Sequence, residues 1–174
     1  MRFGPSGYPK SSKNPEEAFR MIRGMGLDAL EVGFVRGARI APERAEAVGK
    51  AAAENGIRLS CHAPYFISFN SDNPETREKS LGWVMDTVRA AHAMRAYVIV
   101  IHAATYGKSP ETATHSVIEG LNRCRSMMDD EGIDDVMLGL ETMGKTGAWG
   151  TLREISEVMD SVEGSCAVLD VAHV

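Results

Sequence analysis

The sequence contains no long apolar run. No stretch approaches the roughly 20 consecutive apolar residues that a membrane-spanning helix needs, and the first residues, Met1 to Pro5, lack the apolar core of a secretory signal. Both absences argue against a membrane anchor and against export. We therefore expect a cytoplasmic protein that does not associate with membranes.

Cysteine and net positive charge are also scarce. The three cysteines, Cys61, Cys124 and Cys166, are an odd number without a closely spaced pair, which fits a reducing compartment better than a disulfide framework. The 19 Lys and Arg residues against 24 Asp and Glu residues give a net charge of −5. The chain therefore has no overall field that attracts nucleic acid, and any such binding requires a local basic patch.

The sequence does contain a repeated helix start of the form x-Pro-Glu, at intervals of about 30 to 40 residues, a spacing that suits a βα unit. It occurs at Asn14, Ala41, Asn73 and Ser109, with proline at the first helical position. Six runs of strand length alternate with the helices, at residues 1–4, 29–35, 57–62, 97–102, 136–141 and 166–170. This alternation predicts a single α/β domain over residues 1–174, with a parallel sheet and helices outside it.

Such a sheet can have one of two architectures, a doubly wound open sheet or a (β/α) barrel. No Gly-x-Gly-x-x-Gly sequence follows the first strand, and metal-competent side chains follow nonadjacent strands. Both features favour a TIM-type barrel, whose active site forms at the C-terminal ends of several strands. A complete barrel has eight strands, so the sequence predicts a partial barrel with about six βα units and an exposed edge at the last strand.

Four of the predicted strands end in a side chain that can bind a metal: His62, His102, Glu141 and Asp170, with His173 three residues after the last. Two histidines and a glutamate with one open position are typical of a hydrolytic zinc site, in which the metal lowers the pKa of a bound water. Each histidine alone could instead be a hydrogen-bonded core residue, and Asp170 alone a helix cap. Their shared position at the strand ends favours metal binding.

Other polar residues give weaker signals. Tyr65, Arg36 and Arg39 fall in loops at the predicted active-site end, where they are candidates to contact a phosphate or to stack on a base or sugar. Ordinary solvated loops have the same composition, so that alternative stays open. His92 and His115 fall in predicted helices without a partner pattern, and we interpret both as structural.

Four motifs together resemble endonuclease IV, the metal-dependent apurinic/apyrimidinic endonucleases of family 2: His62-Ala63-Pro64-Tyr65, the strand ending in His102, Glu141-Thr142-Met143-Gly144 and Asp170-x-x-His173. That family lies within the xylose isomerase-like TIM barrel superfamily, and the resemblance runs along the whole chain. It implies a cluster of up to three Zn²⁺ ions, with Mn²⁺ as an alternative metal.

The same resemblance implies a role for each motif residue. His62, His102 and Glu141 would hold the first ion. Glu141 would also be catalytic and would bridge to a second ion, which Asp170 joins. His173 would bind the third ion, and Tyr65 would help to distort the DNA stack.

The chain departs from the endonuclease IV pattern in two ways. The family has Asn-Thr-Ala-Gly after the glutamate, where this chain has Thr142-Met143-Gly144. The family's remaining zinc ligands, a histidine, an Asp-x-His pair and a final glutamate, lie on strands seven and eight, beyond the strands read here. Either the sequence is part of a longer protein whose C-terminal βα units complete the barrel, or another chain completes it. We expect the first, because an exposed hydrophobic edge promotes aggregation.

The resemblance predicts a zinc-dependent endonuclease of DNA base excision repair. Such an enzyme cleaves the phosphodiester bond 5′ to abasic sites and leaves a 3′-hydroxyl. Its partner is DNA containing abasic sites, and we expect the complete protein to be a monomer. A second hypothesis is a divalent-metal sugar isomerase or epimerase of the same superfamily, which the acidic net charge favours. A third is an incomplete fragment that binds metal without turnover.

Overall fold

The computed structural model describes residues 1–173, which form one parallel sheet with helices packed against it. The helices are α1 (Pro15–Gly24), α2 (Pro42–Glu54), α3 (Pro74–Ala93), α4 (Ala113–Asp130) and α5 (Leu152–Met159). The strands are β1 (Ala29–Gly33), β2 (Arg58–His62), β3 (Val98–Ile101), β4 (Met137–Glu141) and β5 (Ser165–Val168).

The strands pair in the order β1-β2-β3-β4-β5, and every neighbouring pair is parallel. A doubly wound sheet changes direction at a switch point, so its strand order differs from its chain order. Here the chain advances by one strand with each βα unit, as it does in a TIM barrel. The prediction of a partial TIM-type barrel is confirmed.

Proline and asparagine set the predicted helix starts. α1, α2 and α3 begin at Pro15, Pro42 and Pro74, and the caps Asn14 and Asn73 accept hydrogen bonds from backbone N–H groups of the first turn. The fourth start differs, because Pro110–Thr112 forms a 3₁₀ turn before α4 begins. Ser109 makes no side-chain cap hydrogen bond there, so the helix lacks the bond that the asparagine caps provide.

The predicted strand over residues 1–4 is wrong. The segment does run beside β1, where the Phe3 carbonyl accepts hydrogen bonds from Asp28 and Ala29, and the Pro5 carbonyl accepts one from Glu31. Only Ser6 forms a parallel bridge, with Glu31. Pro5 has no N–H group to donate, so the ladder is interrupted before a strand is established.

Side chains on the strands alternate between two faces. The face toward the helices forms the core, with side chains at most 2 % exposed at Leu30, Leu59, Ile99, Leu138 and Leu140. The opposite face carries the polar strand residues, among them Glu31, His62 and Glu141, which are partly exposed.

The register brings the C-terminal ends of the strands to one edge of the sheet. Gly33 pairs with His62, His62 with Val100, and Val100 with Gly139. Glu141, at the end of β4, pairs with Val168 at the end of β5. The residues that follow the strands therefore share one end of the partial barrel.

Candidate metal centre

The strand ends bring three predicted ligands together. The Nε2 atoms of His62 and His102 lie 3.1 and 2.7 Å from the same carboxylate oxygen, Oε2 of Glu141. The side chains of His62 and Glu141 are each 12 % exposed, and that of His102 is 20 % exposed. Their ligand atoms all lie within 4.8 Å of one another, so one ion could contact all three.

The hydrogen bonds of His62 determine which ring nitrogen is available to a metal. Its Nδ1 lies 2.8 Å from the Ala63 carbonyl oxygen, which only accepts, so Nδ1 carries a proton. Nε2 therefore faces Glu141, to whose carboxylate it donates, and loss of that proton would leave its lone pair available to a metal. Burial opposes the charged ring, but the hydrogen bonds to Glu141 and Ala63 outweigh it and raise the pKa of His62.

Glu141 is held as an anion. Hydrogen bonds from His102 and His62 lower the pKa of its carboxyl group to about 2, against the opposing effect of burial. Two imidazoles thus compete for one carboxylate oxygen. A divalent cation among the three groups would replace the shared protons, since each group can offer it a lone pair. The donor set therefore fits a metal ion.

A second group of possible ligands shares Glu141 with the first. Glu141, Asp170 and His173 also have ligand atoms within 4.8 Å of one another. The Nδ1 of His173 lies 3.2 Å from Oδ2 of Asp170 and 3.0 Å from the Thr142 carbonyl oxygen. The other oxygen of Asp170 accepts a hydrogen bond from the Ala172 N–H at 2.9 Å, which is a capping role. The carboxylate of Asp170 thus caps the turn with one oxygen and faces His173 with the other.

Sequence reasoning missed the role of Thr142, which fixes the second group. Thr142 is 2 % exposed. Its hydroxyl accepts a hydrogen bond from the Asp170 N–H at 2.9 Å and donates one to the Asp170 carbonyl oxygen at 3.3 Å. A Cβ on Gly144 would lie 3.0 Å from the Cα of His173, so a larger residue there would require a small shift of the backbone at His173. Only the position of Thr142 directly after a predicted ligand could have indicated its role.

The predicted substrate residues divide into two groups. The Tyr65 ring lies over the centre, with its centroid 4.9 Å from that of His62 and 5.1 Å from that of His102, and it is 55 % exposed. Arg36 and Arg39 are in the loop after β1. Neither arginine forms a side-chain hydrogen bond or ion pair within residues 1–173, so the structure does not join them to the centre.

The two histidines interpreted as structural lie apart from both ligand groups. The Nδ1 of His92 lies 2.7 Å from the Asp135 carboxylate, and the Nε2 of His115 lies 3.3 Å from the carboxylate of Glu119 one turn further along α4. Their side chains are 47 % and 73 % exposed.

The loops that follow β2 and β3 are joined by one buried amide that no sequence motif marks. The side-chain NH₂ of Asn70 donates to the carbonyl oxygens of Thr105, Tyr106 and Ser109 at 2.9 to 3.3 Å. The next loop connects through Trp149, whose backbone N–H donates to Ala104 and whose indole donates to Thr114. The loops that begin at the ligands are therefore fixed relative to one another.

No helix within residues 1–173 is both long enough and apolar enough to cross a bilayer.

Comparison with known families places the fold in context. The family model described as xylose isomerase-like TIM barrel matches residues 19–174. An uncharacterized protein of Methanocaldococcus jannaschii is 29 % identical over 153 residues, which are 87 % of this chain and 55 % of that protein. A protein of Acholeplasma laidlawii named probable endonuclease 4 is 32 % identical over 130 residues, which are 70 % of this chain and 43 % of that protein. The chain thus spans about half the length of the curated relatives that it matches.

Solved structures share the fold at lower identity. A D-psicose 3-epimerase matches with a TM-score of 0.79 and 16 % identity, over 99 % of this chain and 64 % of that one. Endonuclease IV from Thermus thermophilus matches with a TM-score of 0.76 and 20 % identity, over 99 % of this chain and 64 % of that one. The resemblance predicted from the motifs is confirmed at the level of the family, and these structures support the barrel fold.

Proposed function

The chain belongs to the xylose isomerase-like TIM barrel family, and from that membership we propose that it carries the metal centre of a DNA endonuclease acting 5′ to abasic sites. The observation that carries the proposal is the carboxylate of Glu141. It is approached by His62 and His102 and shares a second ligand group with Asp170 and His173. A shared carboxylate is suited to hold two cations close together, as phosphodiester hydrolysis by a metal pair requires.

Zinc fits the first group, since two imidazoles and one carboxylate leave one coordination position open for water or substrate. Mn²⁺ is the alternative metal. Such an ion would supply a Lewis acid for a phosphate oxygen and would lower the pKa of water. Glu141 would hold and bridge the ions, while His62 and His102 would direct Nε2 at the first. Asp170 and His173 would complete the second group.

Tyr65 would form the substrate surface beside the metal. Its ring is more than half exposed and lies about 5 Å from both imidazoles, centroid to centroid. An exposed aromatic ring beside a metal centre can stack on a base or fill the gap left by a missing one. Arg36 and Arg39, at the same end of the barrel, would contact backbone phosphates. The name of the Acholeplasma laidlawii relative favours this reading over other metal-dependent chemistry.

A sugar isomerase or epimerase is the second candidate, and Glu31 favours it. Glu31 pairs with Ser60, so it lies on the same face as His62, two residues further along β2. Its carboxylate accepts a hydrogen bond from the Ser6 hydroxyl at 2.7 Å. An acidic group on this face would repel a phosphodiester but could accept hydrogen bonds from sugar hydroxyls. The D-psicose 3-epimerase structure shares the fold.

The first experiment measures metal content and DNA incision together. We expect about one firmly bound zinc ion per chain, because the side chains of the first ligand group are only 12–20 % exposed, whereas those of His173 and Asp170 are 27 % and 34 % exposed. Duplex DNA with one abasic analogue should be incised 5′ to the lesion, and a chelator should abolish the incision. His102→Ala should lose both the metal and the incision.

The matched control is His115→Ala, which removes a histidine that is 73 % exposed and paired with Glu119 on α4. It should retain metal and incision. Unchanged metal content in His102→Ala would overturn the metal centre. Metal binding without chelator-sensitive incision would overturn the nuclease, and interconversion of ketose epimers by the same protein would then establish the second candidate.

A further inference from the structure

Arg95 has a backbone conformation that disfavours arginine. Its φ of 57° makes it the one non-glycine residue with positive φ among residues 1–173. The same position after α1, α2 and α4 is occupied by Gly26, Gly56 and Gly132, with φ between 65° and 77°. Glycine is favoured there because a Cβ is strained in the left-handed region. Local backbone stability therefore does not explain the arginine after α3.

Arg95 lines a cleft of about 330 Å³ together with Arg2 and Arg58. Arg58 is the first residue of β2 and His62 is the last. The cleft therefore lies at the opposite end of the strands, roughly 13 Å from the metal centre at the usual rise per residue. No Asp or Glu within residues 1–173 lines the cleft, although the chain as a whole has a net charge of −5.

The three guanidinium groups have few protein partners. Arg2 donates one long hydrogen bond, 3.4 Å, to the Gly56 carbonyl oxygen. Arg58 lies over the ring of Tyr97, with its central carbon 4.2 Å from the centroid, which orients the group without using its N–H donors. Within the part of the chain that the structure describes, no carboxylate forms an ion pair with any of the three. Most of their donors are free to bind a ligand.

We propose that this cleft binds a phosphate group, either as the free ion or on a small organic ester. Guanidinium groups are complementary to phosphate in charge and in geometry. Three of them can offset the two negative charges of a phosphate dianion, whereas a single carboxylate would leave more positive charge uncompensated. The cleft is also lined by the apolar residues Ala52, Ile57 and Met94. Its volume suits a small organic ester, since clefts of this size hold small ligands. The site is separate from the metal centre and does not depend on the proposed function.

Arg95→Gly gives the sharpest test, because it removes both the backbone strain at this position and the guanidinium group that would bind phosphate. We expect its melting temperature to rise by about 2–4 °C, which is the usual effect of a gain of this size in a domain of this length. Its affinity for phosphate should fall at least about tenfold, as expected for loss of a charged hydrogen-bond donor. Arg58→Gln should lose affinity to a similar degree. Arg153→Ala, which removes an exposed arginine on α5, should bind as the unmodified chain does.

Binding is measured by calorimetry on the chelator-treated protein with inorganic phosphate, a nucleoside monophosphate and the same nucleoside without phosphate. Tighter binding of the monophosphate than of inorganic phosphate identifies an organic ester as the ligand, and equal binding identifies the free ion. His102→Ala should bind both as well as the unmodified chain, since the metal centre is not involved. The proposal is overturned if neither phosphate binds, if the nucleoside alone binds equally well, or if Arg95→Gly binds unchanged.

Discussion

Whether a glycine in this protein can be replaced depends on the atoms nearest to the position that a Cβ would take. Gly49 in α2 packs so closely on the end of α3 that a Cβ there would overlap the Met94 carbonyl group. Gly82, in the middle of α3, is exposed, and no atom lies within 4 Å of the position that a Cβ would take. Both glycines lie inside helices, so alanine would improve the helix propensity of either by a similar amount.

The two sites should therefore respond in opposite directions to the same substitution. Gly82→Ala should stabilise the protein by about 0.5–1 kcal/mol. Gly49→Ala should destabilise it by about 1–3 kcal/mol, because the added methyl meets backbone atoms that cannot move aside alone. Urea unfolding of both variants measures the difference. Equal shifts in one direction would show that α2 and α3 are not packed as closely as the structure places them.

At the scale of elements, two helix starts offer a test of capping. Thr151 caps α5, and its hydroxyl accepts the Glu154 N–H at 3.3 Å while the Glu154 side chain accepts the Thr151 N–H at 2.9 Å. Ala41 precedes α2 with the extended backbone of a cap, φ −67° and ψ 142°, but makes no side-chain cap hydrogen bond. Thr151→Ala should cost about 1 kcal/mol of unfolding free energy, and Ala41→Asp should add about 0.5–1 kcal/mol. Urea midpoints check both, and a loss of stability in Ala41→Asp would contradict the assigned cap.

Elements with a local signal could be predicted, and those without one could not. The starts of α1, α2 and α3 follow from proline and its preceding residue, which act within one turn. The residues before α1 favour a strand by their pattern, but the missing N–H at Pro5 outweighs that preference. Asn70 had no signal, because its hydrogen bonds reach residues 35 to 46 positions away.

The candidate site could be predicted in position but not in geometry. Parallel strands place their C-terminal ends together, which is why His62, His102 and Glu141 could be grouped from the sequence. That both Nε2 atoms approach one oxygen depends on side-chain rotamers, and the sequence does not specify them. The role of Thr142 depends on a segment 28 residues away and is equally invisible in the sequence.

At the scale of the whole molecule, the candidate metal centre joins segments that are far apart along the chain. His62 and Glu141 are 79 residues apart, and His102 and Glu141 are 39 apart. The second group adds Asp170 and His173, beyond β5, where Leu169 and Val171 are 60 % and 86 % exposed. A bound cation would therefore hold β2, β3 and β4 together with the residues after β5. Its binding free energy would then add to the stability of the folded chain.

Zinc should accordingly raise the melting temperature of this chain. A ligand at a concentration of about 100 times its dissociation constant stabilises the folded state by about 2.7 kcal/mol, which corresponds to several degrees in a domain of this size. A chelator should reverse the shift. Glu141→Gln should remove it, because the amide keeps the shape of the side chain but loses the charge that both ligand groups share. Glu119→Gln, which alters a carboxylate that is 66 % exposed on α4, should keep the full shift. A shift that persists in Glu141→Gln would place the cation elsewhere, because no ion could then be bound through the carboxylate on which both imidazoles converge.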